Sequence, residues 1–389
     1  MNVLLITNDL NVLRENTPAR AAVEHYATFT KHLVVVVLNT SRDRYRAQKV
    51  SESLLLLPTN AYASIFAPLK AYQHIIHQLY FQGRLQVDLV VAGDPLLAGF
   101  VGWFTSARFH RPLLIELRMN VLSRNYASQS FAHTLRSMVG RFLVRRSHGL
   151  IIYSEGIRAT LADISTSIAD RAMRAPHFMD IEAFQKEPLH VDLAAKYPQF
   201  KTILLTVAPL EKVSNLQLAI KVLAGVVALY PDTGLVIVGE GSLYRKLKAY
   251  ARKTGMAEHV IFEPKTDNIS SYYKSARFFL MTALYEGYDD PLAYAAAASC
   301  AIVSTAVGIA PAIIEDGISG FLCEPHDTAK LVTSITTMIR KPSLCDSVRL
   351  NANLSIQKYM DSDEKTYIEF SRQAWEQTIK EASKEAESV

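Results

Sequence analysis

Short aliphatic runs recur along the chain, each followed by a stretch in which apolar residues return every three or four positions. In the first half the runs are Val3–Ile6, Leu33–Leu38, Leu54–Leu57, Val87–Val91, Leu113–Glu116 and Gly149–Tyr153. Helical spacing marks Thr17–Lys31, Ala63–Gln82 and Ser128–Arg146 between them. A second series runs Thr202–Val207, Thr233–Val238, His259–Phe262, Arg277–Met281, Ala301–Thr305 and Gly320–Cys323, again alternating with helical patterns. Brief aliphatic strands alternating with helices predict parallel sheets covered on both faces.

The stretch Pro176–Phe200, rich in Pro, His and charge, interrupts this rhythm and reads as a linker. The expected division is therefore an N-terminal domain over 1–175, a linker over 176–200, a second domain over 201–354 and a helical segment over 355–389. That last segment carries Tyr367, Phe370 and Trp375, too apolar for a free tail, so it is expected to pack back toward the first domain. The predicted fold is α/β, with two Rossmann-like doubly wound domains facing across a cleft at the carboxyl ends of their strands, where such sheets bind ligands.

A length of 389 residues suits two domains, and 49% hydrophobic with 20% charged residues excludes a disordered or fibrous chain. The longest aliphatic run, Leu33–Leu38, is far short of the roughly 20 residues needed to cross a bilayer. The opening MNVLLITND lacks a basic region and reads as a strand rather than a leader. Cys300, Cys323 and Cys345 are odd in number and lack metal-site spacing, which argues for a reducing cytoplasm without disulfides or structural zinc.

Charge is uneven. Residues 1–190 hold 21 Lys and Arg against 14 Asp and Glu, and Arg108, Arg111, Arg118, Arg124, Arg136, Arg141, Arg145 and Arg146 are opposed only by Glu116. Such a half suits an anionic membrane surface or a phosphate-bearing substrate; a merely solvated basic face is the alternative. Phe131, Leu135, Met138, Val139, Phe142 and Leu143 recur at helical spacing among these arginines. That stripe either rests on an anionic surface or packs on the sheet with the arginines facing water. Nucleic acid is not an expected partner, because no aromatic platform or recognised motif accompanies the charge.

The glycine patterns exclude common nucleotide sites. The first strand runs into Asn8-Asp9-Leu10-Asn11 with no G-x-G-x-x-G, the P-loop pattern is missing, and Gly239-Glu240-Gly241 has no third glycine. The phrases VIVGEGS (236–242), YYKSARFFLMTALYEGY (272–288), AAAASCAIVSTAVGIAPAIIEDGISGFLCEPHD (295–327) and NLQLAIKVL (215–223) are more specific. Together with RENTPARAAVEHYATFTKHLVVVVLN (14–39), GDPLLAGFVGWF (93–104) and LVRRSHGLIIYSEGIRATL (143–161), they resemble the family-4 retaining glycosyltransferases of the GT-B fold, especially envelope-polysaccharide enzymes.

That resemblance implies transfer of a sugar from a nucleotide-sugar held by the second domain to a glycan or lipid-linked acceptor at the first. It implies no cofactor and a cytoplasmic place, peripheral on the inner membrane face. It puts Glu286 at the catalytic position and Lys212, Gly241, Gly287, Tyr294 and Gly308 around the donor. Arg20, Asp94, Arg118 and Ser154 fall on the acceptor side, with Asp94 equally suited to capping the following helix.

The chain departs from the family pattern where the diphosphate would dock. Pro209 stands where the family has Arg, Ser214 where it has Lys, Tyr294 in place of a second Glu and Ala312 in place of another; Arg118 holds the position of a His. Lys212 is a nearby cation, though a point charge does not replace a bidentate guanidinium. Asp289-Asp290-Pro291 reads as an acidic helix start that repels a diphosphate unless a magnesium ion bridges them. These features leave two functions: a transferase with an altered donor site, or a catalytically degenerate GT-B protein that binds or scaffolds a true transferase as its partner.

Overall fold

Strand β1 (Asn2–Thr7) lies inside a parallel sheet, flanked by β2 (His32–Val37) and β5 (Leu89–Ala92) in register, Val3 opposite Leu33 on one side and Leu89 on the other. The structure is a computed structural model. It describes residues 1–389 except 41–44, 64–65, 78–86, 177–178, 180, 286–289, 361–363 and 388–389. The chain divides into two α/β units, one of 1–176 with 362–389, the other of 177–361.

The other described strands of the first unit are β3 (Gln48–Lys49), β4 (Leu54–Pro58), β6 (Leu113–Leu117), β7 (Gly149–Ile152) and β8 (Ala172–Arg174). They complete a sheet of order β3-β4-β2-β1-β5-β6-β7-β8, paired parallel throughout except β3 with β4. The two short edge strands carry no aliphatic run, so the hydrophobic pattern does not announce them. The inner strands are buried on both faces, as Val35, Val36, Val90, Val91, Leu114 and Ile115 show. Among the helices of this unit are α1 (Pro18–Phe29), α2 (Ala67–Ile76), α3 (Leu97–Phe109), α4 (Arg124–Ala127) and α5 (Phe131–Arg146). Side-chain oxygens set several starts: Thr17 accepts from the Arg20 N–H, Ser123 from Tyr126 and Ser130 from His133.

The terminal helix Glu364–Glu387 completes this first unit. Trp375 is 1% exposed, with its ring 5.0 Å from Tyr26 and 5.3 Å from Phe29 on α1. Thr378 lies so close to Gly149 on β7 that a Cβ there would sit 2.2 Å from its hydroxyl. The segment begins later than the expected residue 355, because the preceding helix Pro342–Tyr359 buries Ala352 and Ile356 in the other unit and continues through that boundary.

The strands of the second unit are β9 (Thr202–Val207), β10 (Thr233–Val238), β11 (Val260–Glu263), β12 (Phe278–Met281), β13 (Ala301–Thr305) and β14 (Phe321–Cys323). Their order is β11-β10-β9-β12-β13-β14, all parallel. Alternation sends Leu205, Val236, Phe279 and Ile302 to one core layer and Leu204, Leu235, Phe278 and Val303 to the other. The expected linker over 176–200 needs correction: it folds into helices Ile181–Lys186 and Leu193–Lys196, and Phe184, Leu193 and Phe200 enter the first of those layers. With partly buried Met179, Ile181, Val191 and Tyr197 beside them, these side chains recruit a segment whose polar composition suggests a tether.

Candidate functional site

In the second unit the strand order reverses between β9 and β12, and the loops leaving the carboxyl ends of β9, β10 and β12 meet there. The loop Ala208–Asn215 is held from two sides. Leu210 donates its N–H to the Glu240 carbonyl, and the Glu211 carboxylate accepts from the Ser242 N–H at 2.6 Å and from its hydroxyl at 2.8 Å. On the other side Thr282 donates to the Ser214 carbonyl at 2.9 Å, and Leu284 donates its N–H to Val213. Glycine makes this approach possible: a Cβ on Gly239, whose φ is +153°, would meet the Ala208 carbonyl oxygen at 2.1 Å, and one on Gly241 would meet that of Leu210 at 2.6 Å.

Beside this loop lies a pocket of about 310 Å³, lined by Leu210, Gly239, Glu240, Gly241, Tyr244, Phe262, Glu263 and Pro264. Tyr244 and Phe262 meet edge to face at 5.5 Å and present a ring surface. Glu263 is anchored by Lys196 and Tyr197, which hold its carboxylate below the ordinary glutamate range against the opposing effect of burial. Burial and that carboxylate push the Tyr197 phenol up to about 12.

The donor-side residues expected from the sequence distribute unevenly. Gly241 lines this pocket, and Lys212 is exposed on the loop next to it. Gly308 turns the chain at φ +60° between β13 and Ala310–Ile313. Tyr294 packs its ring 5.0 Å from Phe184 and 5.8 Å from Tyr273, an apolar setting that raises its phenol by burial and by the nearby Asp290. Ser214 is buried and donates its hydroxyl to the Pro209 carbonyl at 2.6 Å, so it closes the loop, while Pro209 itself is exposed. Glu286, Gly287 and Asp289 lie outside the described residues; Asp290 opens the helix Asp290–Ala297 and is exposed. Among the described residues no group of three or more His, Cys, Asp and Glu side chains is placed to hold a metal.

In the first unit a pocket of about 620 Å³ opens at the carboxyl ends of β1, β5 and β6, its wall mixing apolar Leu5, Val12 and Val23 with polar Thr7, Asn8, Asp9, Asn11, Tyr26, Glu116, Arg118 and Tyr367. At its base is a linked cluster. Glu116, 4% exposed, accepts from Arg118 Nε at 3.1 Å and from the Tyr153 phenol at 3.5 Å. Tyr153 and Tyr367 share a hydrogen bond at 3.1 Å, and Tyr26 donates to Tyr367 at 3.4 Å. Burial lifts the phenols of Tyr26 and Tyr153 well above their ordinary range, so both are neutral donors. Arg118 stacks over the Tyr153 ring at 5.4 Å, and Tyr153 and Glu116 hold its guanidinium as a permanent cation. Its side chain keeps 55% exposure, so the free edge faces the pocket mouth.

Of the acceptor-side residues named from sequence, Arg118 is thus in this site. Arg20 is buried and engaged elsewhere, with Glu24 at 2.6 Å, Gln48 at 2.8 Å and the Val12 carbonyl at 3.3 Å. Asp94 accepts from the N–H groups of Leu96 at 2.7 Å and Ala98 at 3.3 Å, and so caps α3; burial raises its carboxyl against the pull of those donors. Ser154 is 2% exposed at the start of Glu155–Ala162, and its hydroxyl has no hydrogen-bond partner among the described residues. Sequence reasoning missed the three tyrosines, which come from distant segments. Glu116 carried a usable signal: one acid inside the otherwise aliphatic strand LLIEL is a buried charge that demands partners.

Residues 195–354 match the family model of the group 1 glycosyl transferases. Over 147 residues the chain is 30% identical to an uncharacterized glycosyltransferase of Haemophilus influenzae, covering 37% of this chain and 41% of that one. Over 167 residues it is 29% identical to the Campylobacter jejuni N-acetylgalactosamine-N,N'-diacetylbacillosaminyl-diphospho-undecaprenol 4-alpha-N-acetylgalactosaminyltransferase, covering 43% and 44%. The chain thus spans less than half the length of these curated relatives. The fold extends further: HepE of Anabaena, solved with UDP-glucose, superposes with a TM-score of 0.71 at 16% identity over 97% of this chain and 99% of that one. Sucrose-phosphate synthase from Thermosynechococcus elongatus gives 0.75 at the same identity and coverage. Two α/β domains with parallel sheets, the GT-B class, are therefore the fold of this protein.

Proposed function

We propose that this protein is a glycosyltransferase that moves a sugar from a nucleotide-sugar donor onto a glycan or lipid-linked acceptor. The observation that carries the reading is the pinned loop Ala208–Asn215 beside the ring-lined pocket of Tyr244 and Phe262, inside the segment that matches the group 1 glycosyl transferases. The rings suit a nucleobase, and exposed Lys212 offers charge to a diphosphate. Glu286 acts at the sugar, and transfer proceeds with retention at the anomeric carbon and with a hexosyl group, as the family resemblance implies. The acceptor's polar end enters the Glu116–Arg118 pocket of the first unit, where one permanent cation and neutral phenols suit hydroxyls or a phosphate.

Thermal unfolding with UDP, GDP and ADP, each with and without magnesium, tests this. A nucleotide at 100 times its Kd stabilises the fold by about 2.7 kcal/mol. A shift with one nucleotide supports the reading; a shift only with magnesium adds a metal held at Asp289 and Asp290; no shift with any nucleotide refutes a donor site.

Two observations favour a second reading, a degenerate GT-B protein that serves as a binding subunit. Ser214 uses its hydroxyl within its own loop, and Tyr294 lies in an aromatic cluster, so neither replaces the charge that the family places there. Sugar transfer by the purified protein separates the two.

A further inference from the structure

The buried Glu116 carboxylate uses its two oxygens unequally. Oε2 receives Arg118 Nε at 3.1 Å, Arg118 Nη2 at 3.0 Å and the Tyr153 phenol at 3.5 Å. Oε1 has no hydrogen-bond partner among the described residues, yet it is not sealed off by neighbouring atoms. The side chain is 5% exposed and lines the pocket of the first unit, so Oε1 is the atom it offers there. A carboxylate oxygen this deep is costly to leave unpaired, and a ligand that brings a donor relieves the cost.

The neighbouring phenols do not supply that donor. An ionised carboxylate only accepts, so Tyr153 commits its proton to Oε2. At the 3.1 Å contact between Tyr153 and Tyr367 the proton therefore comes from Tyr367, and Tyr26 donates its own to Tyr367 at 3.4 Å. The three protons run one way, toward Glu116. Tyr26, which lines the pocket, keeps a lone pair for a ligand.

Charge selects in the same direction. The charged side chains of the lining are Asp9, Glu116 and Arg118, two carboxylates against one guanidinium. Arg118 directs Nε and Nη2 at Glu116 and keeps Nη1. A phosphate brings negative charge and acceptor oxygens, which meet Oε1 and the Tyr26 oxygen lone pair to lone pair. A sugar hydroxyl both donates and accepts, so one hydroxyl satisfies Oε1 while its neighbour accepts from Nη1. Leu5, Val12 and Val23 give the C–H face of a ring an apolar wall.

We propose that Glu116 is the specificity-determining residue of this pocket: Oε1 accepts from a hydroxyl of an uncharged sugar ring, Arg118 Nη1 donates to the adjacent hydroxyl, and the phosphate ester of the same sugar is rejected. Of the hydroxyls and the phosphate that a cation and phenols would admit, the two acids choose the hydroxyls. Identifying this sugar as the end of the acceptor rests on the transferase reading; its recognition by Glu116 does not.

The test uses the whole protein without nucleotide. The probes are the methyl glycosides of glucose, galactose, mannose and N-acetylglucosamine and the 6-phosphate of each, followed by saturation transfer from protein to ligand protons. The expected result is a glycoside that binds at least tenfold more tightly than its phosphate. Glu116→Gln should weaken that binding at least tenfold and narrow the gap, with the thermal midpoint reporting that the variant is folded. Asp9→Asn keeps an oxygen for the Asn11 N–H that Asp9 now accepts at 2.9 Å, and it too should bring the phosphate ester closer to the glycoside. Absence of any glycoside signal overturns the proposal, as does a phosphate ester bound as tightly as its glycoside. Undiminished binding by folded Glu116→Gln overturns it too; should that variant not fold, unchanged discrimination in Asp9→Asn does so instead. Because no nucleotide is present, these failures are distinct from failure of the transferase reading, which the nucleotide series tests alone.

Discussion

Arg118 donates from Nε to the buried Glu116 carboxylate at 3.1 Å while its own side chain stays 55% exposed. One end of this pair is thus committed to the interior and the other is available at the pocket mouth. Replacing Arg118 by Ala leaves the Glu116 carboxylate facing the Tyr153 phenol without its cation. The expected cost is roughly 1 to 3 kcal/mol, below that of a fully buried pair because water can reach the vacated position. Arg118→Lys should recover only part of it, since a single ammonium cannot span both Glu116 and the Tyr153 ring. Urea unfolding of both variants checks this; equal stability of Ala, Lys and parent would show that the pair contributes nothing.

Gly241→Ala should separate donor binding from stability. Its Cβ would lie 2.6 Å from the Leu210 carbonyl oxygen, so the loop Ala208–Asn215 must shift away from the ring-lined pocket. The loop is near the surface, and the loss of stability should stay at about 1 to 3 kcal/mol. Nucleotide affinity, measured by calorimetry, should fall at least tenfold. Retained affinity would mean that this loop does not set the nucleotide site.

Cations introduced at the two loop positions, 209 and 214, should succeed at one and fail at the other. Pro209 is exposed, so Pro209→Arg adds a guanidinium without disturbing the core and should strengthen diphosphate binding by about 1.5 to 3 kcal/mol where a charged contact forms. Ser214 is 3% exposed and hydrogen-bonded, so Ser214→Lys should destabilise the unit instead. Titration with UDP and thermal unfolding of each single variant distinguish the two effects.

Glu263 should give the second unit an acid-sensitive contribution. Its carboxylate is held below the ordinary range by Lys196 and Tyr197, with burial opposing. A lowered folded value means that the stabilisation is complete above the unfolded glutamate pKa, near 4.3, and is lost as pH falls through the lower folded value. Glu263→Gln should cost about 1 to 2 kcal/mol at pH 7, discounted for the partly exposed Lys196, and much less near pH 3. Denaturant unfolding at both pH values checks this; an unchanged difference would exclude the carboxylate as its source.

The strands beneath both sites were legible from local pattern, because a parallel strand buried on both faces must be continuously apolar and a helix covering it must repeat at 3.6 residues. That logic located Val3–Ile6, Leu33–Leu38 and every strand of the second sheet. The pair Gly239 and Gly241 showed in the sequence as an incomplete nucleotide motif within a family-like phrase; that its glycines admit the Ala208 and Leu210 carbonyls was decided by the structure. Composition misjudged Pro176–Phe200: polarity averaged over a segment conceals the few side chains, Phe184, Leu193 and Phe200, that decide where it packs. Helical spacing on α5 showed an apolar stripe but carried no direction. Only the packed structure decided that Gly140 and Ser137 face inward and Phe142 and Met138 face out, because the orientation of a helix depends on what the neighbouring helix and sheet leave room for. The Tyr26, Tyr153 and Tyr367 cluster around Glu116 was likewise beyond the sequence. Its members are separated by up to 341 positions, and no local periodicity relates residues that tertiary packing alone brings within hydrogen-bonding distance.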